Sequence, residues 1–92
     1  MIVLEITRNG KKVVTAGAAN LEAINAGIDA FPDGTGKLNV FGIAEAKPGF
    51  TQQIATWKEC VHLAEGDEIV IRIKNADKAD PYEQIEDPLE RG

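Results

Sequence analysis

Residues 2–7 alternate Ile2, Leu4 and Ile6 with Val3, Glu5 and Thr7, and the pair Asn9-Gly10 follows within two residues. Asn and Gly tolerate positive φ better than other residues, so this pair between two apolar runs is a strong signal for a two-residue β-hairpin turn. A regular turn of that kind sets Ile6 opposite Val13 and Leu4 opposite Thr15, which gathers Ile2, Leu4, Ile6 and Val13 on one core-bound face. The chain is thereby committed to antiparallel sheet from its first residues.

The later apolar runs extend the sheet. Lys37 to Ile43 reads as a strand in which Gly42 marks a bulge or a close approach. From Ile54 to Leu63, strand periodicity puts Ala55, Trp57, Val61 and Leu63 on one side and Thr56, Lys58, Cys60 and His62 on the other. Beyond a turn at Gly66-Asp67, Ile69, Ile71 and Ile73 point one way and Arg72 and Lys74 the other, as in a half-buried last strand.

The segment from Asn20 to Phe31 supports two readings. Leu21, Ile24, Ile28 and Phe31 follow helical spacing behind Asn20 as an N-cap. Yet Ile24, Ala26, Ile28 and Ala30 also alternate with Asn25, Gly27 and Asp29, and a glycine inside a helix costs about 1 kcal/mol. The expected fold is mainly β, a small antiparallel meander, barrel or sandwich of five to six strands. The alternative is an α+β, β-grasp-like ββαβββ order with a helix over 20–31, similar to ubiquitin.

The stretches Leu4-Glu-Ile-Thr-Arg-Asn9-Gly10-Lys11, Leu38-Asn-Val40-Phe-Gly42-Ile43, and Trp57 followed by Leu63-Ala-Glu-Gly66-Asp67-Glu68-Ile69-Val-Ile71-Arg72-Ile73 resemble a set of short uncharacterised bacterial proteins. The resemblance spans most of residues 2–74 and implies a strand over Leu21 to Phe31, which this chain departs from by filling the segment with alanine. It implies no activity.

With 92 residues, 43% of them hydrophobic, the chain has apolar material for one modest core. Fifteen acids against ten bases give a net charge of −5, which opposes binding to a phosphate backbone. No apolar run approaches the ~18 residues that cross a bilayer, and the opening Met1-Ile-Val-Leu-Glu5 lacks the basic leader of a secretory signal. A lone Cys60 forms no intrachain disulfide, so a reducing cytoplasm is expected. Nucleic acid and membrane are not expected as partners, and the chain is read as a monomer or weak homodimer.

Three clusters invite chemistry. Asp33-Gly34-Thr35-Gly36-Lys37 is glycine-rich before a lysine, but a phosphate loop needs Gly where Phe31 stands and Ser or Thr where Leu38 stands, so a polar turn is expected. Cys60 and His62 share a strand face without the third group that nucleophilic catalysis or zinc requires. Glu65, Asp67 and Glu68 read as a solvated turn. No cofactor, no metal and no enzymatic activity are expected.

Four of the five net negative charges lie in residues 77–92, so residues 1–75 read as the globular domain and 76–92 as an acidic C-terminal tail. Asp80-Pro81-Tyr82-Glu83 has the form of a helix start and Pro88 of a stop, which predicts a short helix over 81–87. Tyr82 and Ile85 then share a face, with Leu89 beyond. Arg8, Lys11, Lys12, Arg72 and Lys74 gather if the first hairpin lies beside the last strand, which reads first as a solvated outer face with protected edges and, more sharply, as a docking site for an acidic partner or for the tail itself. The expected function is a non-enzymatic protein-interaction, accessory or inhibitory module, with Tyr82, Glu83, Ile85, Glu86, Leu89, Arg72 and Lys74 as the partner-binding residues. The tail should then serve docking more than folding. The alternatives are an immunity-type protein that binds a basic toxin and a ubiquitin-like carrier, the latter disfavoured because the sequence closes on Glu90-Arg91-Gly92 rather than Gly-Gly.

Overall fold

Asn9 and Gly10 adopt φ of 52° and 80°, both left-handed, as a type I′ turn requires, and they join strand β1 (Ile2–Arg8) to β2 (Lys11–Ala16). A computed structural model of the chain describes residues 1–45 and 52–86. Within them follow β3 (Leu21–Ala30), β4 (Thr35–Ala44), β5 (Ile54–Ala64), β6 (Ile69–Asn75) and β7 (Gln84–Glu86). The strands form two antiparallel sheets, ordered β2-β1-β6 and β3-β4-β5-β7. Ile6, Val14 and Ala16 of the first sheet meet Leu38, Val40, Ala55, Trp57 and Leu63 of the second in one buried cluster. The shortest dimension of the molecule, 16 Å, leaves room for two layers about 10 Å apart. The fold is therefore an all-β open sandwich, and the β-grasp alternative fails because residues 21–30 are a strand.

Bulges explain where the sequence pattern and the observed faces part. In the first hairpin, Ile6 pairs with Val14 and Thr7 with Lys12, which leaves Val13 as an extra residue. Leu4 consequently faces Ala16, Val14 and Ala16 become the buried residues of β2, and the extra Val13 packs partly buried against the same cluster. In β3, Leu21 pairs with Ala44 and Ala23 with Ile43, so Glu22 is the extra residue. That insertion brings Leu21 and Ile24 onto one side although they are three apart, and both pack on the core. The spacing that imitates a helix is a strand with one bulge.

Strand β5 holds two extra residues against β4, one opposite the Leu38–Val40 step and one opposite the Val40–Phe41 step. Two insertions restore the parity that one would break, so Ala55, Trp57 and Leu63 are all buried. A Cβ at Gly42 would stand 2.9 Å from Leu21 Cδ1 and 3.0 Å from Trp57 Cζ3. Glycine there is what lets the indole lie against β4, the close approach its place in the strand suggested.

The expected tail is threaded into the sandwich as far as it is described. Asp80 N–H donates to Thr15 O (2.8 Å), Thr15 N–H donates to Asp80 Oδ2 (2.8 Å), and the buried Trp57 Nε1 donates to Asp80 O (2.6 Å). Glu83 N–H then donates to Thr56 O (2.8 Å), and Gln84 to Glu86 pair with Thr56 to Ile54 as the edge strand β7. A strand stands at 84–86 where a helix over 81–87 was expected. Two turns of helix are marginal in water, whereas the exposed edge of β5 offers a ready ladder. Among the described residues no helix is long and apolar enough to cross a membrane.

Three variants test the turn and the Asp80 contacts. Replacing both Asn9 and Gly10 with valine should cost about 2 kcal/mol or more in urea unfolding, because β-branched residues resist positive φ. Asp80→Ala should cost about 2 kcal/mol by the loss of hydrogen bonds to a charged acceptor. Truncation after Asn75 should lower the melting temperature markedly, since it also leaves the Trp57 N–H without its acceptor. An unchanged melting temperature for the truncated chain would show that residues 76–86 do not hold the sandwich.

Candidate interaction surfaces

Of the residues singled out in the tail, Tyr82 and Glu83 are engaged by the domain itself. The Tyr82 ring meets Trp57 edge-on, with centroids 5.9 Å apart and planes at 87°, and Glu83 Oε1 lies 3.1 Å from Lys58 Nζ. Ile85 pairs with Ala55 and remains exposed, and Glu86 pairs with Ile54. Leu89 lies outside the described residues. The structure thus brings Tyr82, Glu83, Ile85 and Glu86 together along β5, while Arg72 and Lys74 lie on β6 in the other sheet.

The first hairpin does lie beside the last strand, but its bases are largely neutralised within the chain. Glu5 on β1 receives Lys74 Nζ at 3.1 Å and Arg72 Nη1 at 3.6 Å. Lys12 reaches Asp80 Oδ2 at 3.1 Å and Lys58 reaches Glu83, so these two bases anchor the described part of the tail, whose residues form no ion pair with Arg72 or Lys74. Arg8 Nη2 reaches Asp67 Oδ2 at 2.7 Å, and Lys11 stays exposed.

Asp67 ties the β5–β6 turn to the first hairpin. It accepts from the Ala64 N–H (2.8 Å), the Asn9 side-chain amide (3.0 Å) and Arg8, and these donors hold its carboxyl down at about 2. Asn9 completes the junction, its own N–H donating to Glu68 O and its Oδ1 accepting from Glu68 N–H. Thr15 N–H and Lys12 likewise hold the Asp80 carboxyl below the usual range. In the glycine-rich turn, Asp33 accepts from the Thr35 hydroxyl (2.6 Å) and N–H (2.9 Å), so an internal carboxylate already occupies donors that a phosphate would need. Cys60 is exposed with φ of 52°, at one of the β5 bulges, and its N–H donates to Asn39 Oδ1.

The other long side of the sandwich is open among the described residues. Leu4 and Ile73 of one sheet and Leu21 and Ile24 of the other line a cleft between β6 and β3, and a second cleft further along is lined by Ile28, Phe31, Leu63 and Ile69. Apolar side chains remain in solvent here: Ile2 is 58% exposed, Ile71 42% and Ile73 76%. The four sheet edges differ in how they are guarded. Strand β2 is bulged and bridged by Asp80, β3 is bulged at Glu22, and β7 has three residues. Strand β6 is seven residues long and pairs with β1 without a bulge. Bulges, short length and free charges are the devices that keep an edge from pairing. On β6 the two bases are occupied by Glu5.

Sequence reasoning found the Ile69, Ile71, Ile73 row but assigned it to the interior. The signal it lacked was the strand order, which leaves β6 at an edge. Acidity should loosen the turn junction that frames β6. The Asp67 carboxyl is held below its unfolded value of about 3.9, so its contribution to stability is complete above about pH 4 and disappears as the pH falls towards 2. Wild-type protein should lose stability over that interval in denaturant titrations, and Asp67→Asn should be less stable at neutral pH with a shallower acid dependence. An equally steep dependence in the variant would remove Asp67 from the account.

Comparison of the chain with protein-family models, with curated proteins and with solved structures finds no match.

Proposed function

We propose that the protein is a small non-enzymatic interaction module that takes an extended polypeptide segment along the free edge of β6. The observation that carries this reading is the state of that edge, a regular strand with Ile71 and Ile73 in solvent and no neighbour on its outer side among the described residues. Asn9 N–H bonds Glu68 O and Ala76 N–H bonds Met1 O, and the β1–β6 ladder between them is unbroken. By alternation, Val70, Arg72 and Lys74 turn their backbone groups towards β1, while Ile69, Ile71, Ile73 and Asn75 turn theirs outward. Strand addition at such an edge gains main-chain hydrogen bonds, and alternate side chains of the added strand extend the apolar layer of Leu4, Ile6 and Ile71.

Binding suits the polar groups better than catalysis does, because Arg8, Asp67, Lys12, Asp80, Lys58 and Glu83 are committed to pairs that hold the turns and the strap of residues 80–86 in place. A cytoplasmic setting accords with a single exposed thiol.

A photo-crosslinking amino acid at position 73 should give discrete protein adducts in the source cell, and the same probe at the exposed position 11 should not. No adduct at 73, or the same adducts at both positions, would overturn the reading.

A further inference from the structure

We infer that the segment β6 takes is β6 of a second copy of this chain, antiparallel and centred on Ile71. The inference rests on the edge-binding reading above and names its partner. A two-fold interface brings each residue i against j and each j against i, so the edge must complement itself.

Centred on Ile71, the strand does. Ile71 faces Ile71, Ile69 faces Ile73 twice, Val70 faces Arg72 twice, and Glu68 faces Lys74 twice. The outward-turned residues Ile69, Ile71 and Ile73 form the hydrogen-bonded pairs, as an added antiparallel strand demands. Branched apolar residues then meet on the side of Leu4 and Ile6, and opposite charges meet on the other side.

Neighbouring registers are poorer. Centring on Arg72 sets Arg72 against Arg72 in a non-hydrogen-bonded pair, where Cα atoms approach to about 4.5 Å. Centring on Val70 sets Ile73 against Asp67, whose carboxylate is already held by Arg8 and Asn9, and sets Lys74 against Gly66. In the Ile71 register Lys74 lies between Glu5 of its own chain and Glu68 of the partner copy, so the base that would guard the edge becomes a bridge. The product is one continuous six-stranded sheet, β2-β1-β6 joined to its two-fold copy. The contact spans only residues 68–74, so the dimer is a small-interface, reversible one.

Sedimentation of the purified full chain across a concentration series should show a monomer–dimer equilibrium. Ile73→Lys should abolish the dimer with no loss of melting temperature, since that side chain is 76% exposed. Glu68→Lys should weaken the dimer about three- to tenfold, and Lys74→Glu added to it should restore much of the loss, because two pairs change sign together. On a Cys60→Ser background, Ile71→Cys should oxidise to a covalent dimer, as hydrogen-bonded partners lie about 5.5 Å apart. Ile73→Cys alone should not, and Ile69→Cys with Ile73→Cys should. A chain that stays monomeric at all concentrations overturns self-pairing; if the position-73 probe then captures a different protein, edge binding stands without it. A dimer that survives Ile73→Lys and gives no Ile71→Cys crosslink also overturns it.

Discussion

The hydrogen bond from Trp57 Nε1 to the carbonyl of Asp80 is the contact on which the sandwich closes. A buried indole must find an acceptor for its N–H, and β4 and β5 spend their own carbonyls on the sheet. The acceptor comes from the segment after β6, which passes from Thr15 on β2 of the first sheet to Trp57 and Thr56 on β5 of the second and straps that side of the sandwich. Asp80 then turns its N–H and carboxylate to the backbone of Thr15 on β2, so one residue joins an edge of the first sheet to the central tryptophan of the second. Once that link exists, Tyr82 stands against the indole and β7 continues along β5. Gly42 belongs to the same arrangement, since without its bare Cα the indole would be pushed off β4.

How far the fold was legible follows from the range of the interactions that make it. Asn9-Gly10, the alternation of Ile2 to Thr7 and the Ile69, Ile71, Ile73 row are local signals, and each became the expected element. The bulges at Val13, Glu22 and in β5 were not legible, because an inserted residue is defined by its partner strand. The bulge at Glu22 made Leu21 and Ile24 look helical, and only the ladder with β4 resolves the ambiguity. The strap was furthest from view. Asp80 lies 65 residues from Thr15, and its Asp-Pro-Tyr-Glu setting reads locally as a helix cap. Of the candidate binding residues, Tyr82 and Glu83 proved to be fixed to β5. Arg72 and Lys74 do lie beside the edge proposed for binding, although their role there depends on Glu5 and on the unbranched ladder of β1 with β6.

Charge placement follows the same division. Excess acid near the C-terminal end of the sequence suggested a segment that serves docking more than folding. In the fold, Asp80 and Glu83 of that segment answer Lys12 and Lys58, and Glu5 answers Arg72 and Lys74. Exposed pairs of this kind contribute little stability apiece. Their consequence is to remove isolated cations from the surface of the first sheet, so the positive patch expected on the hairpin does not persist as a patch.

The two long sides of the sandwich therefore differ. One side is closed by its own strap through Asp80, Trp57 and β7. On the other, two clefts lie between β3 and β6, and the seven-residue edge strand that pairs without a bulge carries the most exposed isoleucine. A small domain has a modest core and little stability to spare, so leaving Ile2, Ile71 and Ile73 in water is a standing cost, and no bulge guards the edge that carries two of them. The other three edges use such devices. Strand β1 sits between the two sides, paired with the clamped β2 on one flank and with β6 on the other. A strand added at β6 thus meets a ladder whose register is already held by Asp67 at one end and whose sheet is held by Asp80 at the far edge. That rigidity lowers the conformational cost of docking, because the edge is already in the geometry that a new strand requires.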